Sequence, residues 1–416
     1  MTQLQDLASV QAAVREAVET VTISDIHTHL FYPSHGDLLL WGVDELLTYH
    51  YLVAELFTIA PADLTYEKFW AMSKTEQADL IWQKVFIETG ALSEACRGVI
   101  TTLNRLGLDT AGRDLNSIRK WFADQDEEDY LHRVFELANL DWAIMTNNPF
   151  EPEEAGYWKQ DLPKNDLLKA ALRIDNLILD WENASKTMAD QGYDTAEPND
   201  KSFAQARRFL ADWAKVIDPV YMAASLPPEF AYPDGGLPAR IIKQVVMPTA
   251  KELNLPMAMM IGVRKRVNPP LGDAGDAVGI ADVTAVNSLC IENPDAKFLV
   301  TMLSRVNQHE LCVSARKFGN LHLFGCWWYC NNPSIIDEMT RQRLELLGAT
   351  VTCQHSDARV LDQLVYKWHH TRKIVADVLV DKYTDLFQAG WRPTSEEISR
   401  QTRAIFGGAF ENFLAK

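Results

Sequence analysis

The chain has 416 residues, of which 47% are hydrophobic, and a formal net charge of −17. That composition is typical of a soluble globular protein with a large core. So acidic a chain, with no long basic run, argues against binding nucleic acid or an anionic membrane surface.

The first segment, "MTQLQDLASVQAAVREAVET", reads as an amphipathic helix without the basic start and apolar run of a signal peptide. No stretch approaches the roughly 18–20 apolar residues of a membrane span. Eight short apolar runs then follow, at 23–29, 142–148, 170–175, 221–226, 257–263, 298–303, 321–329 and 350–357. Most are bounded by Pro, Gly, Asn or Asp, as parallel strands buried on both faces are. Helical patterns such as "SFAQARRFLADWAKVI" and "PSIIDEMTRQRLELLG" lie between them. The expectation is a single α/β domain over 1–416, a (β/α)8 barrel, with a doubly wound sheet as its competitor. Residues 30–141 read as a helical insertion in the first strand-to-helix loop, on the face where barrel active sites form. A smaller insertion is expected at 176–205, with a surface loop around "DQGYDTAEPNDKS".

Strand residues two apart share a face, so Asp25, His27 and His29 of "DIHTH" point the same way. Two imidazoles about 6 to 7 Å apart at a strand end can share one metal ion, and neutral imidazole suits zinc. Two separately hydrogen-bonded core histidines are the alternative. The eighth run ends at Asp357, and the last strand of a closed barrel adjoins the first. A carboxylate there can complete a His-His-Asp site with positions left for water or substrate; alone, it reads as a turn or helix-cap residue. His355 reads as a satisfied core histidine. The six cysteines show no zinc-finger spacing and read as free, mostly buried thiols of a reducing cytoplasm.

Taken together, "DIHTHL", "LWGVDELLTYHYLVAE", "ALRID", "GDAGD", "GCWW" and "SDARV" resemble the uronate isomerases of the amidohydrolase superfamily, along essentially the whole chain. The resemblance is to the short, divergent Bacillus-type branch. It implies a distorted (β/α)8 barrel that interconverts D-glucuronate and D-fructuronate, or D-galacturonate and D-tagaturonate. It also implies one divalent metal, usually Zn2+, held by His27, His29 and Asp357. His50 and Tyr51 match the His-Tyr pair that reaches into the site from the insertion. Arg359 matches the arginine of a D-x-R motif, Arg173 a substrate-contacting arginine, and Trp328 an active-site tryptophan. Two departures stand out: Met260 replaces a histidine before Ile-Gly, and "KWHHTRK" differs from the commoner basic pattern.

The reaction so implied needs a base near C2, an acid near C1, charge stabilisation for an enediol, and an anchor for the carboxylate. Arg173 or Arg359 can grip the carboxylate with a planar donor pair. Tyr51, with its pKa lowered by a nearby arginine or metal, is expected to carry a proton in concert with Asp357, and His50 to orient the substrate or help open the ring. Without the family, His50, Tyr51 and Trp328 read as packing residues, and Arg173 equally well as half of an ion pair. A mononuclear metal-dependent hydrolase is one alternative, disfavoured because the fourth strand offers only the late Glu229 and the fifth no histidine. A non-catalytic sugar-acid-binding protein is another. A homo-oligomer is compatible with the sequence, although no surface patch in it defines the interface.

Overall fold

The structure is a computed structural model and describes residues 3–160 and 162–416. Seven strands form one parallel sheet in chain order: β1 (Ile23–Thr28), β2 (Leu140–Asn147), β3 (Leu168–Arg173), β4 (Pro219–Leu226), β5 (Met257–Ile261), β6 (Phe298–Met302) and β7 (Leu321–Leu323). Their period-two alternation separates two cores. Met257, Met259 and Ile261 of β5 face the surrounding helices, while Ala258 and Met260 face inward. The inward positions Ile26, Ile144, Ala171, Ala223 and Leu299 join the same inner cluster. Phe410 and Phe413 of the C-terminal helix Ala409–Ala415 fill it from below, against Trp142, Tyr221 and His322.

The eighth run is not a regular strand. It closes the ring all the same: Thr352 N–H donates to Leu323 O at 3.1 Å on one side, and Asp357 N–H to His27 O at 3.1 Å on the other. Ladder formation fails because neighbouring backbone donors are diverted. Cys353 N–H goes to Ile405 O (2.9 Å), His355 N–H to Gln354 Oε1 (3.1 Å) and Ser356 N–H to Asp25 Oδ1 (3.1 Å). The seventh run is likewise shorter than its apolar pattern suggests: β7 ends at Leu323, Phe324 keeps a single bridge to Thr352, and "GCWWY" leaves the sheet.

Between β1 and β2 the chain is helical, including His50–Ile59, Lys74–Ile81, Glu94–Arg105, Leu115–Ala123 and Glu127–Ala138. The pattern 43–57 breaks into two helices at Thr48–Tyr49, which places His50 and Tyr51 in a first helical turn. Glu94–Arg105 packs against the long helix Gln363–Gln388. Gly98 permits this approach, since a Cβ there would lie 2.7 Å from the Tyr366 ring. The segment 176–205 is more ordered than a surface loop; it holds most of Asp175–Leu179, all of Trp181–Asp190 and the start of Asp200–Ile217. All six cysteines are buried free thiols. Among the described residues no helix is long and apolar enough to cross a membrane.

Candidate active site

His27, at the end of β1, and His29 just beyond it meet Asp357 at the barrel mouth. His29 Nε2 lies 3.2 Å and His27 Nε2 3.6 Å from Asp357 Oδ1. Among the described residues this is the one group of three or more His, Cys, Asp or Glu whose ligand atoms all lie within 4.8 Å of one another.

The hydrogen bonds behind the imidazoles set their tautomers. Tyr221 donates to Ile26 O (2.7 Å), so at 3.2 Å it accepts from His27 Nδ1–H. Thr146 donates to Thr28 O (3.1 Å), so at 2.8 Å it accepts from His29 Nδ1–H. Both Nε2 lone pairs therefore face the carboxylate. Burial lowers the pKa of both histidines; the charges of His29 and His355 add to this at His27 and that of Arg173 at both, while Asp357 opposes it. Burial pushes Asp357 up, but a proton held on the imidazoles, first on His29 and then on His27 and His355, more than offsets this and keeps the carboxylate below its usual range. Three acceptor atoms thus converge on one point, an arrangement that a cation stabilises. Two imidazoles and a carboxylate, each imidazole fixed by a hydrogen bond from its far nitrogen, are the donor set of a divalent transition metal.

Asp357 has φ 53 and Trp328 φ 45. Asn139, Asp218 and Asn254 share that left-handed region as helix caps, where it is ordinary. Asp357 and Trp328 end no helix, and such backbone strain of order 1–3 kcal/mol collects at functional sites. Gly325 also serves the site: it has φ 65, and a Cβ there would lie 1.6 Å from His355 Nδ1.

The helix His50–Ile59 brings His50 and Tyr51 within reach of the Asp357 charge. The rings of His50 and Tyr51 stack at 4.4 Å, and His50 lies 5.2 Å from the Trp328 ring. His50 Nε2, Tyr51 OH, Trp328 Nε1, His27 Nε2 and Asp357 Oδ1 are all buried without a hydrogen-bond partner. Buried polar atoms are nearly always paired, so unpaired ones gathered at one mouth mark a polar ligand's place. Burial lowers His50 to about 4, keeping it neutral. The expectation for Tyr51 is reversed: burial, then the Tyr49 and Asp357 charges, push its phenol well above 10, so it is a proton donor in the free protein.

The two arginines flank the centre without touching it. Arg173 is held by Asp175 at 3.0 Å, and its charge reaches both histidines. Arg359 is half exposed, its Nη1 3.7 Å from Asp273 Oδ2, and its charge reaches His29.

Neither a protein-family model nor a curated protein sequence matches the chain; solved structures do. A uronate isomerase from Bacillus halodurans C-125 superposes with a TM-score of 0.96 at 50% identity, over 99% of this chain and 98% of that one. This chain belongs to the uronate isomerase family. Two more distant structures share the fold: a uronate isomerase from Thermotoga maritima (TM-score 0.79, 14% identity, 100% of this chain and 98% of that one) and a glucuronate isomerase from Caulobacter crescentus (0.75, 15%, 99% and 96%). The fold is thus the distorted TIM-type barrel of the uronate isomerases.

Several residues of this uronate isomerase site carry no signal in the sequence. Thr146 and Tyr221 are single polar residues on apolar strands. His355 is buried but not satisfied; both its ring nitrogens lack partners, and its ring stands 5.3 Å from His27. Asp25, expected on the face of the two histidines, lies beyond a register break in β1 and accepts instead from Ser356 N–H and, at 2.9 Å, from Trp368 Nε1. Met260 packs in the inner cluster, so the fifth strand offers no metal ligand.

Proposed function

We propose that the chain catalyses the aldose–ketose isomerisation of hexuronates, D-glucuronate to D-fructuronate and/or D-galacturonate to D-tagaturonate, through an enediol. The reading is supported by the unpaired polar atoms of His50, Tyr51 and Trp328, which lie close enough for the Asp357 charge to act on His50 and Tyr51, beside the His27–His29–Asp357 group.

Asp357 is an ionised base and Tyr51 a neutral acid, so the two start in complementary states. Asp357 takes the proton from C2, and Tyr51 delivers one to C1. A hydroxyl proton passes from O2 to O1, and Asp357 returns its proton to the phenolate, which resets the pair. His50, neutral and unpaired at Nε2, hydrogen-bonds the sugar and orients it or assists ring opening. Arg359, with only an exposed carboxylate 3.7 Å away, is free to turn onto the substrate carboxylate, and Arg173 adds positive charge behind it. Trp328 offers its ring face and Nε1–H to the same ligand.

His27, His29 and Asp357 would hold one divalent metal, and the nitrogen-rich donor set suits Zn2+. When bound, it supplies Lewis-acid polarisation of a substrate oxygen. A small hexuronate substrate fits a cytoplasmic enzyme of carbohydrate metabolism.

A mononuclear hydrolase acting on a sugar acid is the second reading, motivated by the same three ligands. The deciding experiment incubates the protein with D-glucuronate, D-galacturonate and the corresponding lactones in deuterated water, followed by NMR. Ketose formation with deuterium at C1 is expected. Lactone opening with no ketose would replace the isomerase reading by the hydrolase one.

A further inference from the structure

Lys367 is 3% exposed and lies in the first turns of the helix Gln363–Gln388. Its Nζ donates to Ser356 O at 2.5 Å and stands 5.9 Å from the centroid of the Tyr51 ring. Among the described residues no carboxylate comes within 4.0 Å of it. Burying an ammonium without a contacting counter-ion costs several kcal/mol, and an apolar side chain of similar volume would be at least as stable there. Stability therefore does not explain a lysine at this position. Burial lowers the ammonium to about 8, while the more distant charges of Asp357 and Asp25 support it, so it stays charged at neutral pH.

The acceptor is informative. Ser356 O belongs to the peptide that leads into Asp357, and the N–H of that same peptide donates to His27 O at 3.1 Å. Lys367 and β1 thus grip the peptide from both ends. The preceding peptide is fixed as well, by Ser356 N–H on Asp25 at 3.1 Å, and Trp368, next to Lys367, donates to that carboxylate at 2.9 Å. Asp357 needs such a grip because its φ of 53 is unfavourable for a side chain with no helix to cap. The same ammonium also faces the ring of Tyr51, an attraction that depends on ring orientation.

We propose that Lys367 is a positioning residue of the isomerase: it clamps the 356–357 peptide so that Asp357 faces both histidines, and it fixes the Tyr51 ring relative to that carboxylate. This rests on Asp357 and Tyr51 acting as base and acid. A displacement of about 1 Å between such groups costs on the order of 100-fold in rate.

The test uses the full chain with Lys367→Met, which keeps the volume, and Lys367→Gln, which keeps an N–H donor but no charge. Each is assayed on whichever hexuronate the wild type converts faster. Both are expected to lose about 100-fold in kcat with KM within about threefold, because orientation rather than binding is disturbed. Lys367→Met is expected to melt no lower than the wild type. Amide hydrogen exchange across 353–361 is expected to quicken about tenfold, while the β3–β5 peptides are unchanged. A kcat within about threefold of wild type in both variants overturns the proposal, and a lowered melting temperature with intact kcat would make the lysine merely structural. If the wild type converts neither sugar, the functional reading fails on its own. Exchange then decides the clamp, and unchanged rates across 353–361 in both variants refute it.

Discussion

Thr146 Oγ1 lies 2.8 Å from His29 Nδ1 and spends its own proton on Thr28 O, 3.1 Å away. A threonine on β2 thereby decides which nitrogen of the histidine just beyond β1 is free to bind a cation. Thr146→Val keeps the shape and removes the acceptor. Metal affinity is expected to fall roughly 10–100-fold. Competition for Zn2+ against a chromophoric chelator measures it, and an unchanged affinity would detach Thr146 from the centre.

Asp357 is both a ligand of that centre and the proposed base. Asp357→Asn keeps the size of the side chain and removes its basicity. Turnover of hexuronates is expected to drop by at least about 100-fold while the melting curve stays cooperative. The variant is folded if its far-UV circular dichroism matches the wild type. Near-normal turnover by a folded Asp357→Asn protein would assign the base elsewhere.

The meeting of these residues could be anticipated because it follows from the topology. A closed barrel joins its last stave to its first, which brings the end of β1 beside Asp357; alternation alone does not, because β1 breaks its register between Asp25 and Thr28 and both Ile26 and His27 meet the inner cluster. Met257–Ile261 shows the alternation as directly in its cores as in its letters. Burial is not legible in the sequence, and it reverses the expectation for Tyr51: a nearby arginine or metal would lower its pKa, but burial, with the charges of Tyr49, Asp357 and Tyr366, raises it. The eighth stave reads as a strand in the sequence because its side chains are strand-like. Whether Ser356 N–H joins a ladder depends on Asp25, 331 residues away, and no local pattern encodes that. Lys367 is hidden for the same reason, since on a helix it reads as one more solvated lysine.

Arg359 is the arginine with the weaker hold in the free protein. It lies 3.7 Å from Asp273 with both side chains more than half exposed, a contact worth ~0–1 kcal/mol. It can therefore leave at little cost for a substrate carboxylate. Arg359→Met is expected to lower kcat/KM for hexuronates about 10–100-fold, the value of a charge-assisted bond of ~1.5–3 kcal/mol. Steady-state kinetics on both hexuronates checks this, and unchanged constants would leave the carboxylate to Arg173.

His322 gives a pH signature away from the metal ligands. It is buried beneath the barrel against Phe413, bonded to Thr352 Oγ1 at 2.9 Å, and burial lowers its pKa to about 3. The unfolded chain takes up a proton there near pH 6.5, whereas the folded protein does not until about pH 3. The unfolded state therefore binds more protons across that window, and this histidine removes stability as the pH falls through it. One proton corresponds to a slope of about 1.4 kcal/mol per pH unit. In His322→Asn, which keeps an amide to meet Thr352, unfolding free energy between pH 6 and pH 4 should depend on pH less steeply by about that amount. Urea titrations at several pH values supply the slopes. Equal slopes in the two proteins would mean that the folded state takes up this proton as readily as the unfolded chain, and that the imidazole is not enclosed between the C-terminal helix and the barrel floor.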